Sequence, residues 1–111
     1  MTIPTGEQLA AQIENALRLV IDPELGCNIV DLGLVYVVAV GEDGDARLLM
    51  TTTTRGCPAS EFLKEGAAQA AGSVPGVASV EVTLTYDPPW GPEMMTSSAK
   101  LQLNFAAEGA S

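Results

Sequence analysis

The sequence predicts a small single-domain α/β (α+β) sandwich, in the order α-β-β-α-β-(short α), with helices packed on a three-stranded mixed sheet. Three observations predict it. The run Thr51-Thr52-Thr53-Thr54 leads through Arg55-Gly56-Cys57-Pro58 into a segment rich in Ala, Glu, Leu and Lys, which reads as strand, tight turn and helix. Residues 34–40 and 47–54 flank the turn Gly41-Glu42-Asp43-Gly44-Asp45, which reads as a hairpin. Residues 77–86 place Val80, Val82 and Leu84 on one face by strict alternation, which reads as a third strand.

At 111 residues and 47% hydrophobic content the chain has room for one core and not for two ordinary domains, so residues 1–111 are read as a single domain with its core over about 6–105. Five Lys plus Arg against 14 Asp plus Glu give 5 − 14 = −9, which argues against nucleic acid or an anionic membrane as partner. No leader pattern and no apolar run near the roughly 18 residues of a membrane helix is present, so the expected location is the cytoplasm. Two cysteines in that compartment read as free thiols. With no histidine, a complete metal site inside one chain and a triad of the hydrolase type are both disfavoured.

Taken in order, Thr5-Gly6-Glu7-Gln8 matches a capping box, and Leu9, Ile13, Leu17 and Val20 follow at helical spacing, predicting a helix over 6–19. Residues 21–33, punctuated by Pro23, Gly26, Asn28 and Gly33, read as a loop. Its carboxylates Asp22, Glu24 and Asp31 have two readings: Asp22 and Asp31 bond to nearby backbone, or an ordered loop presents acids beside a pocket or metal. In the hairpin, Leu49, Thr51 and Thr53 alternate with Met50, Thr52 and Thr54, predicting one covered face and one partly polar face. The second helix runs over 59–71 and should end at Gly72 as a C′ residue. Strand, helix and strand in sequence imply a right-handed crossover and a parallel pairing of 77–86 with the second hairpin strand. Asp87-Pro88-Pro89-Trp90-Gly91-Pro92 is a stiff loop whose Trp90 either caps the core or walls a pocket or partner site. A short helix follows from Thr96, and 106–111 reads as a frayed tail.

Cys57 is the candidate functional atom. Pro58 suits a first helical turn, which places Cys57 at or beside the N-cap, where free backbone N–H groups and the helix dipole favour a thiolate. Arg55 can add positive charge, and Gly56 leaves the backbone free to bend. The alternative is that Cys57 is a small buried hydrophobe, as unpaired cysteines often are.

Five motifs in order then resemble the metal-sulfur cluster assembly factor domain, the family of SufT and PaaD proteins. They are Asp22-Pro23-Glu24-Leu25-Gly26, Asn28-Ile29-Val30-Asp31-Leu32-Gly33-Leu34-Val35-Tyr36, the threonine run through Pro58, Val74-Pro75-Gly76-Val77, and Tyr86-Asp87-Pro88-Pro89-Trp90. The resemblance covers about residues 9–105. It implies an iron-sulfur assembly or maturation factor with Cys57 as its main functional residue and Asp22, Glu24, Asp31, Thr53 and Thr54 as the supporting site, to which the charge argument at the turn adds Arg55. Asp87, Pro88, Pro89 and Trp90 would form the partner-binding loop. Cys27 stands where relatives often carry an aliphatic residue, which favours packing, and without a cysteine-bearing extension the chain looks more like the SufT-type single domain.

The expected cargo is a transient iron-sulfur cluster, and the expected partners are the assembly machinery and client apo-proteins. One Cys57 cannot hold a cluster alone, so two chains of a homodimer, a small thiol or a partner would complete the ligand set. Two other classes compete: a thiol-dependent enzyme or redox protein using Cys57, with Asp31 or Glu24 assisting, and a purely protein-binding module with Cys57 inert.

Overall fold

The structure is a computed structural model, and it describes residues 6–53 and 59–103. The elements are α1 (Gly6–Leu17), β1 (Val35–Val40), β2 (Asp45–Met50), α2 (Ser60–Gly72), β3 (Ser79–Leu84), a single 3₁₀ turn (Pro92–Met94) and α3 (Ser97–Gln102). β1 pairs antiparallel with β2, and β2 pairs parallel with β3, so the sheet is mixed, with β2 in the middle. Order and pairing are those the sequence predicts.

α1 and α2 lie against each other and against the sheet. α1 buries Leu9, Ile13 and Leu17, α2 buries Leu63, Ala67 and Ala71, and the sheet meets them with Ala46, Leu48, Met50 and Val82. The small alanines of α2 let its backbone approach closely. The loop residues Ile29, Leu32 and Leu34 are fully buried and close the same core, which fixes the loop between α1 and β1 to the body of the domain.

Several boundaries differ from expectation, β2 for one beginning at Asp45, two residues earlier than predicted. α1 stops at Leu17 rather than Leu19, because the next three amides turn back to carbonyls three residues earlier: Arg18 to Asn15, Leu19 to Ala16 and Val20 to Leu17. That tightening leaves Leu19 82% exposed. β2 ends at Met50, short of Thr54, and the alternation ends with it, since Thr51 and Thr52 are adjacent and both buried. β3 is shorter than 77–86 because the Val77 amide bonds back to Val74 in a turn. Gly72 is the last helical residue of α2 and not a left-handed C′; Ser73 caps the end in helical geometry, its hydroxyl donating to the Ala70 carbonyl at 2.7 Å. The positive φ falls instead on Gly76, at 101°, where a Cβ would stand 3.0 Å from Leu9 Cδ2.

α3 begins as predicted, with the Thr96 hydroxyl accepting from the Ala99 amide at 3.3 Å. The predicted capping residue Thr5 and the tail over 106–111 lie outside the described residues. Among the described residues no helix is long and apolar enough to cross a membrane.

Candidate functional site

Because β2 and β3 run parallel, their carboxyl ends share one end of the sheet, the end where open α/β sheets form their ligand sites. The strands run out at Met50 and Leu84, and the chain beyond them stays tied. The Thr51 amide donates to the Leu34 carbonyl at 2.8 Å, and the Thr85 amide to the Met50 carbonyl at 2.9 Å. Thr52 Oγ1 and the Tyr86 hydroxyl share a hydrogen bond at 3.0 Å. Thr53 is half-buried in a bend. The neighbouring Thr54, Arg55 and Cys57 lie outside the described residues, so the described frame is Thr53 on one side and Ala59 on the other. Ala59 is the N-cap of α2, two residues past Cys57, and it supplies no side-chain cap.

The acidic loop shapes itself. Asp22 is 2% exposed, and its Oδ1 accepts from the amides of Glu24 at 2.7 Å and Leu25 at 3.2 Å. Its own amide donates to the Cys27 carbonyl, and its carbonyl accepts from the Gly26 amide. This is the backbone-bonding role that short acids take in turns. Glu24 is exposed. Asn28 and Asp31 bond reciprocally: Asn28 Nδ2 donates to Asp31 Oδ2 and the Asp31 amide donates to Asn28 Oδ1, each at 2.9 Å. Arg18 Nε stands 3.9 Å from Asp31 Oδ1, a loose pair of small worth.

The proline loop is instead held by that neighbour. Trp90 Nε1 donates to the Leu32 carbonyl at 2.7 Å, the Tyr36 hydroxyl to the Pro88 carbonyl at 2.8 Å, and the Thr96 amide to the Asp31 carbonyl at 2.8 Å. Met94 Sδ is a more distant contact of Tyr36, at 3.7 Å. Trp90 is half-buried against the core, while Asp87, Pro88 and Pro89 are exposed. Burial raises the Tyr36 phenol above its ordinary pKa, with a hydrogen bond to Thr51 acting against it. The joint between the loops is Gly33, at φ +80°, where a Cβ would collide with the Met94 carbonyl.

Cys27 is free and sealed, 2% exposed, with its Sγ 3.6 Å from Gln102 Oε1. Gln102 Nε2 also reaches the Gly26 carbonyl at 3.4 Å, so the last turn of α3 pins the acidic loop. Burial pushes the Cys27 thiol up, the nearby Asp31 charge adding to the effect and a backbone bond from Asn28 opposing it. A thiol held neutral in this way is a poor nucleophile and a poor metal ligand.

The structure thus joins Asp31 to the Trp90 loop and sets Asp22 apart as an internal brace. Among the described residues no three of His, Cys, Asp and Glu come together to hold a metal ion. Sequence reasoning missed Tyr36, Tyr86, Gln102 and Gly33 as parts of this end of the domain. Tyr36 had a signal, a phenol on an otherwise aliphatic strand that needs a hydrogen-bond partner. Gln102 had none.

Comparison with known proteins bears on the same residues. The model of the iron-sulfur cluster assembly protein family matches residues 10–84. An Fe-S protein maturation auxiliary factor of Porphyromonas gingivalis is 43% identical over 98 residues, covering 88% of this chain and 93% of that protein. One of Bacillus subtilis is 41% identical over 99 residues, covering 89% and 97%. The crystal structure of a domain of unknown function from Bacillus anthracis is 38% identical and superposes with a TM-score of 0.86, over 89% of this chain and 94% of that one.

Proposed function

The chain belongs to the iron-sulfur cluster assembly protein family, and from that premise we propose that it serves iron-sulfur protein maturation as an adaptor or transient carrier, with Cys57 offering one thiolate to a cluster in transit. The observation that carries this reading is the fate of the other sulfur. Cys27 is sealed, hydrogen-bonded and held neutral, so each chain has a single thiol left for metal chemistry. Cysteine thiolates hold a cluster, roughly four of them in the common forms, and the rest must come from a second copy, a small thiol or the partner. A ligand set that is incomplete by construction suits handing on and not storage. The relatives are named as maturation auxiliary factors, which fits a role without turnover of a substrate.

Thr54 and Arg55 precede the thiol in sequence, after the bend at Thr53 that follows β2. Asp22 and Asp31 serve by shaping the acidic loop, with Glu24 exposed upon it. Asp87, Pro88 and Pro89, exposed and anchored through Trp90, form the surface for assembly machinery or client apo-proteins. The working compartment is a reducing cytoplasm, where both thiols stay free.

Anaerobic reconstitution with iron and sulfide tests this, read by visible absorbance and by mass. The expected result is a cluster shared between chains, or between a chain and added thiol, lost in Cys57→Ser and retained in Cys27→Ala. Iron and sulfide retained by Cys57→Ser at the level of the unaltered chain would overturn it.

A further inference from the structure

β1 is an outer strand, pairing only with β2 among the described residues, and its other edge presents a row of backbone N–H and C=O groups. Natural sheets blunt such edges with lysine, proline, inward charges or β-bulges. β1 reads Val-Tyr-Val-Val-Ala-Val and has none of the first three, and its one irregularity is confined to its start. An irregularity lies between Val35 and Val37, and pairing is regular from Val37 to Val40.

A groove lies on each face of this edge. On the helical face, Glu7, Ala10, Ala11 and Glu14 recur at helical spacing, forming one stripe of α1 beside its buried stripe. They face Val35 and Val38 across an open depression of about 430 Å³, and a shallower one that overlaps it at Glu7, Ala10 and Val38 continues toward Val40. The two alanines make the room and the two carboxylates frame it. Arg18 stands 3.9 Å from Glu14, but both are exposed and the pair contributes little. On the opposite face, Tyr36, Val37, Leu49, Pro88 and Met94 line a second groove of about 590 Å³. Val37 is 46% exposed there.

From this juxtaposition we propose that the edge of β1 left unpaired among the described residues, over Val37 to Ala39 in particular, binds an extended segment of a partner protein as a fourth strand. Its cationic side chains point toward Glu7 and Glu14, and its aliphatic side chains enter the groove at Val37 and Met94. An unpaired strand edge is matched by a strand, and successive side chains of a strand point to opposite faces, one set to each groove. A chain of net charge −9 with glutamates beside this edge is complemented by a basic segment, whereas a second copy would bring glutamate toward glutamate. The inference rests on the carrier reading only in assigning the segment to a client or assembly protein.

The test needs neither iron nor sulfide, so its failure is distinct from failure of that reading. A synthetic peptide alternating lysine and valine, matched to the six residues of β1, is titrated against the protein, beside a glutamate-valine peptide of equal length. The lysine peptide binds, more weakly as salt rises, and it slows amide exchange along β1. Ala11→Trp, which fills the groove from an exposed position, and the double change Glu7→Lys with Glu14→Lys each weaken binding by about tenfold or more. Equal binding of both peptides, indifference to Ala11→Trp in a folded variant, or self-pairing of β1 seen as concentration-dependent protection and doubled mass would each overturn the proposal.

Discussion

The two proline-bearing loops that meet beside the sheet are held in opposite ways. Residues 20–34 satisfy many of their polar groups internally, through Asp22, the Asn28–Asp31 pair and the Ile21–Asn28 bridge, and besides their bonds to residues 87–96 they take outside ties from Gln102 and from the Thr51 amide at Leu34. Residues 87–96 have a single 3₁₀ turn of their own and are otherwise fastened to Leu32, Tyr36 and Asp31. The difference teaches that order in the second loop is borrowed from the first. A partner that moves the proline loop works against three hydrogen bonds, and a partner that moves the acidic loop disturbs both.

The joint between them is the place to break this arrangement most completely. Gly33→Ala imposes a left-handed backbone on alanine and drives its Cβ into the Met94 carbonyl, a backbone atom that cannot swing aside. The expected loss is about 2–4 kcal/mol, read from the urea midpoint, with both loops showing faster amide exchange. A midpoint within about 0.5 kcal/mol of the unaltered chain would show that the loops part without cost.

What the sequence revealed of this follows the range of the interaction. The hairpin, the parallel third strand and the inward faces of α1 and α2 were legible because side-chain periodicity reports them directly. The end of β2 was not, because Thr51 and Thr52 look like continuing strand, yet both are buried and the Thr51 amide pairs with Leu34 beyond β1. Asp22 was legible as a turn former, since its partners are two and three residues away. Trp90 was legible only as an alternative, because its partner is the main-chain carbonyl of Leu32, and a carbonyl has no residue signature. For Cys57, sequence pattern and family resemblance carry the assignment, while the structure bears on it through the sealed state of Cys27.

A matched pair of substitutions sharpens the contrast. Asp22→Ala strands the amides of Glu24 and Leu25 next to a buried position and should cost about 1–3 kcal/mol. Amide exchange should quicken in residues 20–34 and also in 87–96. Trp90→Phe keeps an aromatic ring but removes the pyrrole half of the indole together with the hydrogen bond to Leu32, at about 1–2 kcal/mol, and its faster exchange should stay within 87–96. If Asp22→Ala loosened only its own loop, the proline loop would not depend on the acidic one.

The smallest effect concerns the one sulfur inside the self-braced loop. Burial holds the Cys27 thiol above its ordinary value of 9.0, so the unfolded chain loses its proton at a lower pH than the folded chain does. Stability from this source is complete below pH 9.0 and is lost as pH rises through the higher folded value, because the unfolded state then binds fewer protons than the native one. Tyr36 acts in the same sense above its ordinary value of 10.0, and it is present with and without the thiol. Comparing the unaltered chain with Cys27→Ala in urea from neutral pH to above pH 9.0 isolates the cysteine. The variant should be less stable at neutral pH, through the small cavity and the Gln102 contact it loses, and the gap should narrow as pH rises. A gap that widens with pH would mean the folded state favours the thiolate. Cys27 would then be an available ligand, and the assignment of metal chemistry to Cys57 alone would fall with it.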